Sequence, residues 1–284
     1  MTERKKITIH TLNQMKEKGE PITMLTAYDY PVALLEEKAG VEIILVGDSL
    51  GMTVYGMDGT LPVTLDMMIN HATAVRKGAP TAFLVGDMPY MTYQISKEEA
   101  IRNAGRMMAE TNCDIVKLEG GVEMAETVAA MVKATIPVMG HIGLTPQSTA
   151  QMGGFKAQGR TAEEAVKLIE DAKALEAAGI SLLLVEAVPP AVLTEITKAL
   201  SIPVISLGAG ADAAGQLLIV HDILGFFDRF VPKFVKKYAN LNETIHSGLS
   251  DYVNEVKTGK FPEEKYTYGM KEEEVKKLKD LLRN

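Results

Sequence analysis

The sequence predicts an α/β protein folded as a (β/α)8 TIM barrel, and three observations carry the prediction. Eight short apolar runs rich in Val, Ile and Leu recur along the chain with helix-compatible stretches between them, and eight is the strand number of that barrel. The runs are apolar at successive positions instead of alternating, which is the pattern of strands covered on both faces. Five of them end on a polar residue: Asp48, Asp87, Glu119, His141 and Glu186. In a parallel barrel all five ends open on one face, where such folds place their chemistry.

The elements follow in order. A short helix is expected over Ile9–Lys18, then strands over 22–27, 41–47, 82–86, 115–118, 138–141, 182–188, 204–207 and 217–220. Ser96-Lys97-Glu98-Glu99 and Thr161-Ala162-Glu163-Glu164 read as capping boxes, a hydroxyl followed three residues later by glutamate. The second opens a helix over 163–178 that stops at Gly179, a residue suited to a left-handed cap. Beyond Gly225 come Phe226-Phe227, the basic run Lys233-Phe234-Val235-Lys236-Lys237-Tyr238 and a helical stretch near 250–256. These read as closing helices and a tail, packed outside the barrel or against another subunit. One barrel domain over 1–284, with a short N-terminal helix and a C-terminal helical tail, is the expected organisation.

Composition excludes several partner classes. The 284 residues carry 46% hydrophobic and 24% charged side chains and a formal net charge of −7, so neither nucleic acid nor an anionic membrane is expected as a partner. Cys113 stands alone and cannot form an internal disulfide, which agrees with a reducing compartment. The N-terminus lacks the apolar stretch of a signal peptide and no apolar run reaches membrane-span length, so a cytoplasmic protein is expected. No Gly-x-Gly-x-x-Gly follows the first strand and no P-loop lysine is present, which removes support for nicotinamide or nucleoside-triphosphate sites.

Asp48, Asp87 and Glu119 offer three hard oxygen ligands of the kind magnesium takes, although an aspartate between strand and helix also serves as an ordinary N-cap. Lys117 precedes Glu119 by two positions and so shares its face of the strand. A lysine there is either a Schiff-base nucleophile or a fixed cation, and the flanking carboxylate favours the cation because it keeps the amine protonated. His141 stands between glycines that let backbone approach a ligand. Glu186 follows an apolar run with no neighbouring cation, so desolvation raises its pKa toward the range of a general acid or base. Gly208-Ala209-Gly210 occupies the place where many barrels bind phosphate through backbone amides.

Leu25-Thr26-Ala27-Tyr28-Asp29, Val46-Gly47-Asp48-Ser49-Leu50-Gly51-Met52, Leu61-Pro62-Val63-Thr64 and Gly86-Asp87-Met88-Pro89 open a series of motifs. Val116-Lys117-Leu118-Glu119-Gly120-Gly121, Gly140-His141-Ile142-Gly143-Leu144-Thr145-Pro146-Gln147-Ser148, Gly154-Phe155-Lys156-Ala157-Gln158-Gly159-Arg160 and Val220-His221-Asp222-Ile223-Leu224-Gly225 continue it. In this order the chain closely resembles the ketopantoate hydroxymethyltransferase family over nearly its whole length. The resemblance implies a phosphoenolpyruvate/pyruvate-type barrel and a large homo-oligomer, typically a decamer. It also implies transfer of a one-carbon unit from 5,10-methylenetetrahydrofolate to 3-methyl-2-oxobutanoate, giving 2-dehydropantoate in the first step of pantothenate synthesis, through a magnesium-stabilised enolate. By resemblance Asp48 and Asp87 bind magnesium with Glu119 as a third acidic residue, Asp48, Ser49, Asp87 and Lys117 hold the keto acid, Glu186 is the catalytic base, and His141 is a possible auxiliary.

One segment departs from the family pattern. Where the family reads Ile-Gly-Ile-Gly-Ala-Gly, a variable pair and then Cys/Thr/Val-Asp-Gly-Gln, this chain has Ala214 before Gly215-Gln216, with its nearest aspartate at Asp212. That predicts an altered loop after the seventh strand and an altered substrate fit. Two other readings use the same barrel. A carbon-carbon lyase or mutase of the isocitrate lyase type would need a reactive cysteine in a Lys-Lys-Cys-Gly-His-like loop, and Cys113 has no such neighbours. A non-catalytic binding barrel would retain the ligand residues without turnover.

Overall fold

Eight parallel strands close a barrel in chain order: β1 Ile22–Thr26, β2 Ile43–Val46, β3 Phe83–Asp87, β4 Ile115–Glu119, β5 Val138–Gly143, β6 Leu182–Glu186, β7 Val204–Leu207 and β8 Gly215–Leu218. The computed structural model describes residues 4–227 and 229–283. Side chains alternate between lumen and exterior along each strand, so the strand residues divide by parity. Ile22, Met24, Ile43, Leu45, Phe83, Val85, Ile115, Met139, Leu182, Leu184, Ile205 and Leu217 point inward and fill the lower lumen as one apolar cluster. The intervening residues, among them Ile44, Val46, Leu84, Val116, Val138 and Leu183, pack outward against the helices. Continuing the inward parity toward the C-terminal ends reaches Asp87, Lys117, Glu119, His141 and Glu186. The lumen is therefore apolar below and ionisable above.

The helix Ile9–Lys18 closes the lower end. Its capping box uses Thr8 and Thr11, with threonine where glutamate or glutamine is usual, and Gly19 ends it at φ 69°. Ile7 and Leu12 join the lumen cluster, and Lys16 donates to the carbonyls of Leu200 and Ser201 just before β7. The helix Ala162–Ala178 has the expected Thr161–Glu164 box and the left-handed Gly179 cap at φ 101°. At Ser96 only half the expected box forms: Ser96 Oγ accepts from Glu99 N at 3.1 Å and caps the helix Lys97–Thr111. Among the described residues no helix is long and apolar enough to cross a membrane.

The last strand begins earlier than its apolar run suggests. Gly215 brings β8 against β1 so closely that a Cβ there would lie 2.4 Å from the Ile22 carbonyl oxygen. Val220, expected within the strand, instead donates its N–H to Thr26 Oγ1 at 3.2 Å and starts the short helix Val220–Ile223. Between β7 and β8 the chain descends without a helix, held where Thr194 Oγ1 donates to Asp212 Oδ2 at 2.6 Å and Thr197 Oγ1 to Asp212 O at 2.7 Å. Ala214 thus arrives at the closed end and, with Ile9 and Met15, packs against the lumen cluster. The departure from the family pattern sits opposite the ionisable end, so the expectation of an altered substrate fit from Ala214 is corrected. The glycines at 208 and 210 serve packing: a Cβ at Gly208 would strike the Phe234 ring at 2.3 Å, and one at Gly210 would lie 3.0 Å from Pro190 Cβ. The Ala209 N–H is already taken by Ser206 Oγ at 3.2 Å, which leaves the expected phosphate cradle short of donors.

Helices cover most of the barrel, yet Thr23 on β1 and Gln216 on β8 face outward and remain exposed. The long helix Leu241–Lys257 has no buried residue, and Ile245, Leu249, Tyr252, Val253 and Val256 form an exposed apolar stripe at helical spacing.

On the helix Tyr30–Ala39, Glu36 is 5% exposed and neither carboxyl oxygen has a hydrogen-bond partner. Burial, reinforced by the charge of Asp29, pushes its pKa up to about 8. The unfolded chain ionises Glu36 near the ordinary carboxylate value while the folded chain keeps it neutral. Stability is therefore undiminished in acid, falls as pH rises above that value, and levels off above the folded pKa, by a total on the order of a few kcal/mol. Glu36→Gln is expected to be more stable than the parent at pH 8, with the gap closing toward pH 4 in urea-unfolding curves; a gap independent of pH contradicts this assignment.

Candidate active site

Five strands deliver the ionisable residues to one cavity of about 370 Å³ at the upper end of the lumen, and Asp48, Ser49, Asp87, Lys117, Glu119, His141 and Glu186 all line it. Asp48 lies two residues past β2, and its own N–H donates to Asp87 Oδ2 at 3.0 Å, which holds the two carboxylates side by side. Ser49 begins the turn after it, its Oγ 2.7 Å from the hydroxyl of the buried Tyr28. Lys117 stands in the centre, with Nζ 2.7 Å from Asp87 Oδ1, 3.8 Å from Glu119 Oε1 and 3.4 Å from His141 Nδ1. All are buried.

Electrostatics decides the charge states. Burial alone would favour a neutral Lys117, but Asp87, Glu119 and Asp48 together outweigh it and raise its pKa, so the amine is a fixed cation. A protonated lysine is not a nucleophile, and the Schiff-base alternative loses its physical basis. Desolvation raises the pKa values of Asp48, Asp87 and Glu119, and Lys117 opposes that shift in each. Burial followed by the nearby Lys117 charge lowers the pKa of His141, which keeps the imidazole neutral. Because Lys117 can only donate to Nδ1, the ring hydrogen belongs on Nε2, as assigned from this network. Nε2 faces Glu186 Oε2 at 3.1 Å, off the axis of a good hydrogen bond.

Glu186 closes the far side. Desolvation raises its pKa, with His141 opposing. Its direction is set by backbone: Ala187 adopts φ 50°, its N–H donates to Leu207 O at 2.9 Å, and Leu144 N donates to Glu186 O at 2.9 Å. Gly143 is required beside it, since a Cβ at φ 92° would lie 2.2 Å from Glu186 O.

The donor set suits a hard divalent cation. Three buried carboxylates face one ammonium, and Asp87 Oδ1 and Glu119 Oε1 have no aligned hydrogen-bond partner despite their proximity to Lys117. Among the described residues no group of three or more His, Cys, Asp or Glu side chains is arranged to hold a metal ion. Magnesium does not need such a cage, because it commonly uses one or two carboxylates and completes its shell with water and substrate.

Two participants carry no role in the sequence reading, Gln147 and Tyr93. Both are buried, and both hydrogen-bond to the carboxylate ring or to its backbone. Gln147 lies in a quoted motif, but only the short turn Pro146–Ser148 directs it into the lumen. Tyr93 sits in the irregular segment after β3, where no periodicity marks an inward position.

The sequence profile of the ketopantoate hydroxymethyltransferase family matches residues 6–264. The 3-methyl-2-oxobutanoate hydroxymethyltransferase of Heliobacterium modesticaldum is 54% identical over 269 residues, covering 95% of this chain and 98% of the relative. That of Moorella thermoacetica is 52% identical over 268 residues, covering 94% and 100%. Among solved structures, phosphonopyruvate hydrolase in complex with oxalate and Mg++ superimposes with a TM-score of 0.60 at 13% identity, covering 98% of this chain and 97% of that one. A 2,3-dimethylmalate lyase of the PEP mutase/isocitrate lyase superfamily gives a TM-score of 0.57 at 14% identity, with 97% and 96% covered. At these identities the structures share the fold alone, and the close relatives carry the assignment. The chain belongs to the ketopantoate hydroxymethyltransferase family.

Proposed function

We propose that this enzyme adds a hydroxymethyl group from 5,10-methylenetetrahydrofolate to 3-methyl-2-oxobutanoate, giving 2-dehydropantoate in the first step of pantothenate biosynthesis. The observation that carries the reading is the pairing, across one buried cavity, of a cation-centred carboxylate ring with the desolvated Glu186. An α-keto acid needs charge held at its oxygens and a base at its carbon 3, and these two groups supply the two needs.

Asp48, Asp87, Ser49 and Lys117 hold the keto acid, and Lys117 stabilises the negative charge that develops on its oxygen as the carbon 3 proton leaves. Asp48 and Asp87, with Glu119 beside them, would hold magnesium, which would supply Lewis-acid pull on the ketone. Glu186 takes the proton. His141, neutral and carrying its hydrogen on Nε2, steadies the carboxylate that does so. The carbon 3 electron pair then bonds to the one-carbon unit, and both carbon–nitrogen bonds that bridge it to the folate break. Water's oxygen becomes the hydroxyl, and the two freed nitrogens take up the proton held by Glu186 and one proton of the water. Phe155, Phe230 and Phe234 line the outer cavity and offer apolar faces for the flat rings of the folate. A cytoplasmic setting belongs to the same proposal, and Cys113, buried and outside any disulfide, agrees with it.

The proton step is tested by magnesium-dependent exchange at carbon 3 of 3-methyl-2-oxobutanoate in deuterated water, without folate. Exchange is expected in the parent, rising with pH through a pKa above the ordinary carboxylate range, and to fall at least about 100-fold in Glu186→Gln. Parent-like exchange in that variant contradicts the role of Glu186.

The exposed stripe on Leu241–Lys257 supports assembly with other copies of the chain, for which we propose a homo-oligomer, a decamer by resemblance. Sedimentation is expected to give a multimer for the parent and a smaller species for Leu249→Lys/Val253→Lys with unchanged helical content. A monomeric parent contradicts it.

A further inference from the structure

One residue touches two carboxylates of the ring from two different parts of itself. The Gln147 side chain donates from Nε2 to Asp48 Oδ2 at 2.9 Å and to Met88 O at 3.0 Å, while its backbone N–H donates to Glu119 Oε2 at 3.0 Å. Its Oε1 accepts from the Tyr93 hydroxyl at 2.7 Å and from Gln94 Nε2 at 3.2 Å. The Tyr93 hydroxyl in turn accepts from Glu119 N at 3.1 Å. Every strong hydrogen-bonding atom of the Gln147 amide is used, and only one orientation satisfies them. Flipping the amide would set its oxygen against a carboxylate and a carbonyl, and its NH2 against two groups that donate here.

We propose that Gln147, locked by Tyr93, is a positioning residue that clamps Asp48 to Glu119 and so presets the carboxylate ring to receive a divalent cation. The inference rests on the reading of that ring as the metal site. Two like charges brought together in a buried cavity repel, and without a neutral double donor between them they would part or take up protons. Because Gln147 carries no charge, it draws the carboxylates together without competing with a cation for their charge. It occupies Asp48 Oδ2 and Glu119 Oε2 and leaves Glu119 Oε1 without an aligned partner. The clamp spans segments that follow β2, β3 and β5 and the end of β4, so the spacing of the ring is held by several parts of the barrel.

Gln147→Met keeps length and removes the side-chain amide while leaving the backbone N–H on Glu119, whereas Tyr93→Phe keeps the ring and removes the hydroxyl, with both its bond to Gln147 Oε1 and the one it accepts from Glu119 N. Manganese binding to the protein without substrate, followed by the free-ion electron paramagnetic resonance signal, reads the clamp without turnover. Gln147→Met is expected to weaken manganese about 10- to 100-fold, the scale of lost second-layer support at metal sites. Tyr93→Phe is expected to weaken it about 2- to 10-fold, a smaller loss because the hydroxyl's two neutral hydrogen bonds reach the carboxylates only through Gln147 and the Glu119 backbone. In both, the KM for the keto acid is expected to recover at saturating magnesium more fully than kcat does. Parent-like manganese affinity in folded Tyr93→Phe, or in folded Gln147→Met, overturns the clamp while leaving the metal site standing. Failure of the parent to bind manganese overturns the clamp together with the metal reading on which it rests.

Discussion

The buried charge at the top of the barrel constrains the rest of the structure. Three carboxylates and one ammonium lie together above an apolar lumen cluster, and removing such groups from water is costly unless each finds a partner. Lys117 is the common partner. Its place at the centre makes the ring tolerable and keeps the amine charged, and its field adds to the burial that keeps His141 neutral. The same cation that permits the cluster to exist thereby shapes the environment of Glu186 through His141.

The barrel supports this arrangement by separating its two ends. Ile7, Leu12 and the lower lumen layers form an apolar plug beneath the ring, and the cavity that the ring lines lies at the opposite end of the barrel. Strand parity then does the placing: positions 83, 85 and 87, or 115, 117 and 119, lie on one line along the lumen wall, apolar at the bottom and ionisable at the top. A register shift of one residue in any of these strands would turn its ionisable residue outward into the helix layer.

Much of this was legible in the sequence, and the parts that were not share a cause. The eight apolar runs and their polar ends encode the strands and the inward faces directly, because burial on both sides leaves no other pattern. Lys117 two residues before Glu119 was enough to place both side chains in one lumen. The ends of β8, the helix-free descent from β7 and the packing role of Gly208 and Gly210 depended instead on contacts distant in sequence, with Ile22, Thr194, Phe234 and Pro190. Ala214 is the instructive case. It was read with the loop that leaves β7 at the active end, whereas it directly precedes β8 and so lies at the opposite end, bonded to Ile22 N and Val204 O at the starts of β1 and β7. Gln147 and Tyr93 escaped for a similar reason: their positions follow from tertiary turns, and a glutamine or tyrosine in a loop has no periodicity to betray it.

Lys117 is the fixed counter-ion of the ring, and a double-mutant cycle on stability in metal-free protein at about pH 9, above the value near 8 to which burial raises Asp87, tests this directly. Lys117→Met is expected to destabilise by about 3–5 kcal/mol, the usual result of leaving buried charge uncompensated. Adding Asp87→Asn should recover part of that loss, because the orphaned negative charge is then removed. Additive losses in the double variant would contradict the account, since they would mean that the lysine and the aspartate do not share one electrostatic unit.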